Sequence, residues 1–135
     1  MAEIASLDDL RLRFGTSTPR RQFLFRQLDI IIDQLRATRK LKRVFLFGSF
    51  VSGKASPNDV DLLVVMNAGF STTQLGGKVS ELFQHDVCRI RYHADLFWVT
   101  EAVGKARIDD LVEVLSRDRD GRAQSGYPQR TAVRT

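Results

Sequence analysis

The sequence predicts an α/β (α+β) domain, a small mixed sheet of three or more strands flanked by helices. Three observations predict it. An apolar run, RVFLF, ends abruptly at Gly48-Ser49; a second, DVDLLVVM, begins with two aspartates in alternation; and between Thr18 and Arg39 apolar residues recur at helical spacing.

In chain order, Thr18 followed by Pro19 has the form of an N-cap and first helical residue, and Leu24, Leu28, Ile31 and Leu35 continue as a helical stripe. The basic run Arg39, Lys40 ends that pattern. Arg43 to Phe47 is a continuous apolar run of the kind found in a strand covered on both faces. A polar loop, SFVSGKASPN, follows, punctuated by Gly53 and Pro57. Asp59 to Met66 is a second strand, whose period of two puts Asp59 and Asp61 on one face. Ser71 to Gln74 has the form of a capping box, and Leu75, Val79, Leu82 and Phe83 extend it as a helix weakened by Gly76-Gly77. Tyr92 to Val99 reads as a third strand with His93, Asp95 and Phe97 on a shared face. Ile108, Leu111, Val112 and Leu115 mark a last helix. The expected organisation is one domain over residues 1–116 and a basic tail over 117–135, where no periodicity is visible.

Composition narrows the function classes. The chain of 135 residues carries a net charge of +5. Residues 116–135 hold five arginines against two aspartates, so the tail supplies most of that bias. Such a tail can favour RNA or other phosphate-rich partners through counterion release, but tails of this kind are more often simply solvated. Arg39, Lys40, Lys42 and Arg43 form a second basic cluster, suited to complement a helix C-terminus or to meet an RNA or a triphosphate. The start of the chain lacks a basic n-region followed by an apolar h-region, and no apolar stretch approaches a bilayer-spanning length. No membrane association and a cytoplasmic location are therefore expected. One cysteine, Cys88, excludes an internal disulfide and every zinc site built on paired cysteines. Trp98 and the phenylalanines are expected in the core, and His93 as a hydrogen-bonded structural residue.

The chemistry concentrates at the two strand ends. Carboxylates at i and i+2 on one strand lie about 6.6 Å apart at Cα, and at an effective dielectric near 20 they repel by about 2–3 kcal/mol. Either a basic partner or a divalent cation has to offset that repulsion. The turn before them favours the cation: Gly48 lets backbone N–H groups approach a phosphate, and the Ser49 hydroxyl donates beside them. Mg²⁺ (or Mn²⁺) with nucleotide phosphates is the combination such oxygen ligands suit. Gly48 to Lys54 also fits the Gly-x4-Gly-Lys of a P-loop, but Ala55 lacks the hydroxyl that would reach the metal and Pro57 interrupts the helix that must follow.

FGSFVSGKASPNDVDLLV, Phe47 to Val64, resembles the signature of the polymerase-beta-like nucleotidyltransferase superfamily: an apolar residue, Gly, Gly or Ser, then about ten residues to Asp-x-Asp. The size is similar to that of the minimal nucleotidyltransferases. A still closer likeness is to a poorly characterised bacterial group that shares GSF…NDVD and a D-R-D-G turn, here Asp118 to Gly121. The resemblance implies a nucleotidyltransferase-like fold, Asp59, Asp61 and Asp95 as catalytic metal ligands, and Gly48 and Ser49 as phosphate-binding residues, with Lys54 taking over a phosphate contact where many minimal members carry arginine. It implies transfer of a nucleoside monophosphate from a nucleoside triphosphate, most naturally ATP, to a hydroxyl of a protein or RNA. It also implies a possible partner toxin, since minimal members often act as the antitoxin of a toxin-antitoxin pair. A catalytically weak nucleotide-binding or partner-binding module is the alternative.

Overall fold

The computed structural model describes residues 3–52, 56–117 and 131–133. Gly53, Lys54 and the Asp118–Gly121 stretch lie outside the described residues. A mixed five-stranded sheet in the order β1-β5-β2-β3-β4 carries helices on its faces.

The chain opens with β1 (Glu3–Ala5) and α1 (Leu7–Phe14), which starts at a reciprocal capping box between Ser6 and Asp9. The long helix α2 (Pro19–Ala37) begins as expected, with the Thr18 side chain accepting from the Arg21 N–H and Pro19 in the first turn. Its buried stripe is Leu24, Leu28, Ile31, Ile32 and Leu35. Strand β2 (Leu41–Phe47) pairs antiparallel with β3 (Val60–Met66), which pairs parallel with β4 (Ala94–Thr100). Parallel pairing requires a crossover. It is made by α3 (Gly77–Leu82) and α4 (His85–Tyr92). Helix α5 (Lys105–Leu115) follows β4, and β5 (Thr131–Val133) returns to the sheet between β1 and β2.

The core divides across the sheet. Val44, Leu46, Leu62, Val64, Ala94 and Leu96 pack with the α2 stripe, while Phe45, Phe47, Leu63 and Val65 pack with Ile108 and Val112 of α5. Covering both faces explains why β2 is buried at four successive positions, Val44 to Phe47, and why its sequence does not alternate. None of the helices among the described residues is long and apolar enough to cross a membrane.

Several expectations are corrected. Tyr92 and His93 are not strand residues: Tyr92 ends α4, and His93 caps it in the left-handed conformation, φ 53°. His93 therefore leaves the Asp95 face, and its ring meets the edge of Phe23 with centroids 5.0 Å apart. The Ser71 cap serves only a 3-10 turn, Thr72–Gln74, and the helix after it starts at Gly77. Strand β3 begins at Val60, one residue after Asp59. The reading of 117–135 as tail fails at Thr131–Val133, which hydrogen-bond into the sheet beside β2 and carry the buried Thr131 and Val133. Three residues are too few to show a period. Phe97 is 41% exposed and so is not a core residue.

Candidate active site

The site forms where β2 ends and β3 and β4 begin. Antiparallel pairing of β2 with β3 sets Phe47 opposite Asp61, and parallel pairing of β3 with β4 sets Asp61 opposite Asp95. Partners on neighbouring strands put their Cα atoms about 5 Å apart with side chains on the same face. Asp61 and Asp95, from two separate segments of the sequence, are thus brought side by side on the face that carries Leu63 and Val65.

Electrostatics follow from that register. The Asp61 carboxyl is pushed up from 3.8 to about 7, first by burial, then by its hydrogen bond with Asp95 and by the negative charges of Asp95 and Asp59. Arg89 acts in the opposite direction. Near neutral pH Asp61 still holds its proton in part and donates it to Asp95. Asp59, half-buried just before β3, contributes its charge to the cluster.

Gly48 stands directly against this pair. Its φ is +72°, a region that side chains other than glycine rarely adopt, and a Cβ there would fall 2.1 Å from Asp61 Oδ2. What lies over the Gly48 backbone is therefore the Asp61 carboxylate. Ser49 follows in a turn closed by Val51 N–H to the Gly48 carbonyl at 3.2 Å and Ser52 N–H to the Ser49 carbonyl at 3.4 Å. Lys54 falls outside the described residues, so its phosphate role has no geometry here.

Two arginines at the start of α2 hold the loop on both sides. The buried Arg21 guanidinium donates to the carbonyls of Phe14 at 3.0 Å, Phe50 at 2.7 Å and Ser49 at 3.3 Å. Arg20 donates to the Pro57 carbonyl at 3.1 Å and also to that of Asn58, next to Asp59. Sequence reasoning assigned these residues no part. Arginine directly after a Thr-Pro helix start, within reach of no sequence neighbour that needs it, was the one available signal.

It also missed α4, which presents two basic side chains one turn apart to Asp95. His85 Nε2 lies 3.4 Å and Arg89 Nε 3.7 Å from Asp95 Oδ1. Neither satisfies that oxygen, which is buried without a hydrogen-bond partner. Cys88, one turn into the same helix, has its thiol pushed up to about 12 by burial and by the Asp95 charge, so it is inert.

The arrangement fits a divalent cation on one observation: the orphaned, inward Asp95 oxygen beside the Asp61 carboxyl, whose ionisation burial, Asp95 and Asp59 oppose against the charge of Arg89. Among the described residues no three His, Cys, Asp or Glu side chains form a ready metal cage. Mg²⁺ does not demand one, because it is commonly held by one or two carboxylates with phosphate oxygens and water completing the shell.

No curated protein and no solved structure matches the chain. A family model does, over residues 4–129, which includes the whole sheet end just described, and the chain accordingly belongs to DUF6932, a family of unknown function.

Proposed function

We propose that the protein is a polymerase-beta-like nucleotidyltransferase that moves a nucleoside monophosphate from a nucleoside triphosphate to a hydroxyl of a protein or RNA. The observation that carries this reading is the pairing of Asp61 with Asp95 across β3 and β4, against the glycine turn that ends β2. Asp59, Asp61 and Asp95 would hold Mg²⁺ or Mn²⁺. The ion, when bound, neutralises the charge that develops between the α- and β-phosphates. Gly48 and Ser49 offer backbone N–H groups and a hydroxyl to the triphosphate. With the ion bound, Asp61 would have released its proton to solvent, leaving the Asp95 carboxylate open to take the proton of the acceptor hydroxyl. Arg20 and Arg21 keep the loop between Ser49 and Asn58 anchored at both ends, so the groups are positioned before substrate arrives. A role as the antitoxin of a toxin-antitoxin pair, in a cytoplasmic setting, belongs to the same proposal.

A second reading has one specific observation behind it. His85 and Arg89 both stand at Asp95, which suits a nucleotide- or partner-binding module in which fixed positive side chains stand in for a cation at that carboxylate. Incubation with ATP and Mn²⁺, with titration calorimetry and pyrophosphate release read in parallel, separates the two. Joint binding of metal and ATP with pyrophosphate release, both lost in Asp61→Asn, is the result expected. Binding without release, even with RNA and protein acceptors supplied, leaves the binding module. Equal metal–ATP affinity in Asp61→Asn and the parent would remove both metal assignments.

A further inference from the structure

The opposite end of β2 carries a second built feature. Helix α2 ends at Ala37 and the chain turns into β2 through Arg39, which has φ +60°. That left-handed conformation costs a side-chain-bearing residue roughly 1 kcal/mol and is normally left to glycine or asparagine. The turn is nevertheless tightly held. The Thr38 hydroxyl donates to the Leu35 carbonyl at 2.6 Å and accepts from Lys40 N–H at 3.1 Å, and the Lys40 carbonyl accepts from Asn67 N–H at 2.7 Å.

Two residues later the β2–β3 ladder is irregular. Leu41 pairs with Met66 and Arg43 with Val65, so Lys42 is an extra residue with no counterpart on β3. A bulge suspends the alternation of a strand and re-aims its side chains. Lys42 and Arg43 are accordingly both exposed, immediately before four successive buried positions. Arg39, Lys40, Lys42 and Arg43 thus form an exposed basic lip, and among the described residues none of them is paired with a carboxylate. Acidic groups that the fold brings to this end include Asp33, which pairs with Arg36 at 3.9 Å, Glu101, which follows β4 two strands away on one side, and Asp8 and Asp9 of α1, which follow β1 two strands away on the other.

We propose that this lip binds the phosphate backbone of a nucleic acid through charge. Four cations within five residues, two of them guanidinium groups suited to phosphate, supply charge complementarity to a closely spaced polyanion. No exposed aromatic residue lies on the lip to stack with a base, so recognition is of the backbone and independent of sequence. An acidic protein partner would need an apolar anchor, and Leu41, half-buried in the strand, does not offer one. The lip is separated from the carboxylate cluster by the length of β2, roughly 17 Å from Lys42 to Phe47. It does not depend on nucleotidyl transfer.

Fluorescence anisotropy of the full chain with a labelled oligouridine, titrated between about 50 and 200 mM salt, tests this. For four contacts the plot of log affinity against log salt should have a slope of about −3, and Lys42→Ala with Arg43→Ala should flatten it by about 1.4. Arg39→Gly, which relieves the backbone, should raise or keep the melting temperature while weakening binding. Asp61→Asn should bind like the parent. Unchanged slopes in the lip variants would overturn the proposal, as would loss of binding in Asp61→Asn, which would move the strand to the carboxylate end and leave the nucleotidyltransferase reading standing. Equal affinity for polyglutamate would also overturn it, by showing that any polyanion serves.

Discussion

Asp61 is a carboxylic acid that the fold keeps from ionising until about neutral pH, and this makes it the most informative single residue in the chain. Its neighbours come from three elements: Asp59 just before β3, Asp95 on β4, and on α4 both Arg89 and His85, the latter beside Asp95. Because its folded value lies near 7 and the ordinary value is 3.8, the folded state binds the proton more tightly than the unfolded one across that window. The stability that Asp61 contributes to the metal-free protein is therefore fully present below the ordinary value and is lost as pH rises through about 7, by on the order of a few kcal/mol. Asp61→Asn, which keeps the shape and removes the charge, should flatten the melting temperature between pH 5 and about 8 and raise it at the upper end. A parent profile that rises over the same range would contradict the crowded-carboxylate account. A salt-bridged aspartate would give that opposite sign, so the measurement separates the two ways in which an Asp-x-Asp pair can be tolerated.

At the scale of elements, the first turn of α2 does more than start a helix. Thr18 and Pro19 place Arg20 and Arg21 at the two ends of the loop that joins β2 to β3, and Arg21 answers carbonyls of Phe14, Ser49 and Phe50 from a buried position. Truncating it removes the guanidinium donor from the Phe14 and Phe50 carbonyls, while that of Ser49 keeps Ser52. Arg21→Ala should destabilise by about 3–5 kcal/mol, since charged hydrogen bonds are each worth about 1.5–3 kcal/mol and removing a buried partner costs more than the pair is worth. Arg21→Lys should recover only part of this, because a single ammonium does not reproduce the planar fork. Chemical denaturation reads the stability directly. A loss within about 0.5 kcal/mol in Arg21→Ala, the range of an ordinary surface substitution, would show that the loop holds its shape without the arginine. Arg20→Ala, exposed to solvent at its Asn58 contact, should cost less and act chiefly on nucleotide affinity.

Over the whole molecule, the last described strand is an interior one. Strand β5 lies parallel to β1 and antiparallel to β2, so its removal leaves β1 without a neighbour and uncovers the edge of β2 along Val44 to Leu46. A version ending after Arg117 should melt well below the parent or aggregate through that apolar edge. If it folds with unchanged stability, β5 is dispensable and the tail reading regains ground. What was legible beforehand is a matter of local physics. The long stripe of α2, the continuous apolar run of β2 and the Asp-x-Asp entry to β3 were all readable, because each is long enough to show its period or is bounded by Thr-Pro or Gly-Ser. The α/β class and one end of the candidate site followed from them. The short elements α1, α4 and β5 were not legible, because eight, eight and three residues give the period little room to rise above chance. His93 was misread for a related reason: nothing local announces that a histidine will take a left-handed cap. That Asp95 joins Asp61 was expected only from the family resemblance, and its other neighbours were not expected at all. Its register against Asp61, the approach of His85 and Arg89, and the reach of Arg20 and Arg21 across the loop are contacts between residues far apart in the chain. Only strand pairing and helix packing bring them together, since a side chain's partner across a sheet is set by register and not by sequence spacing.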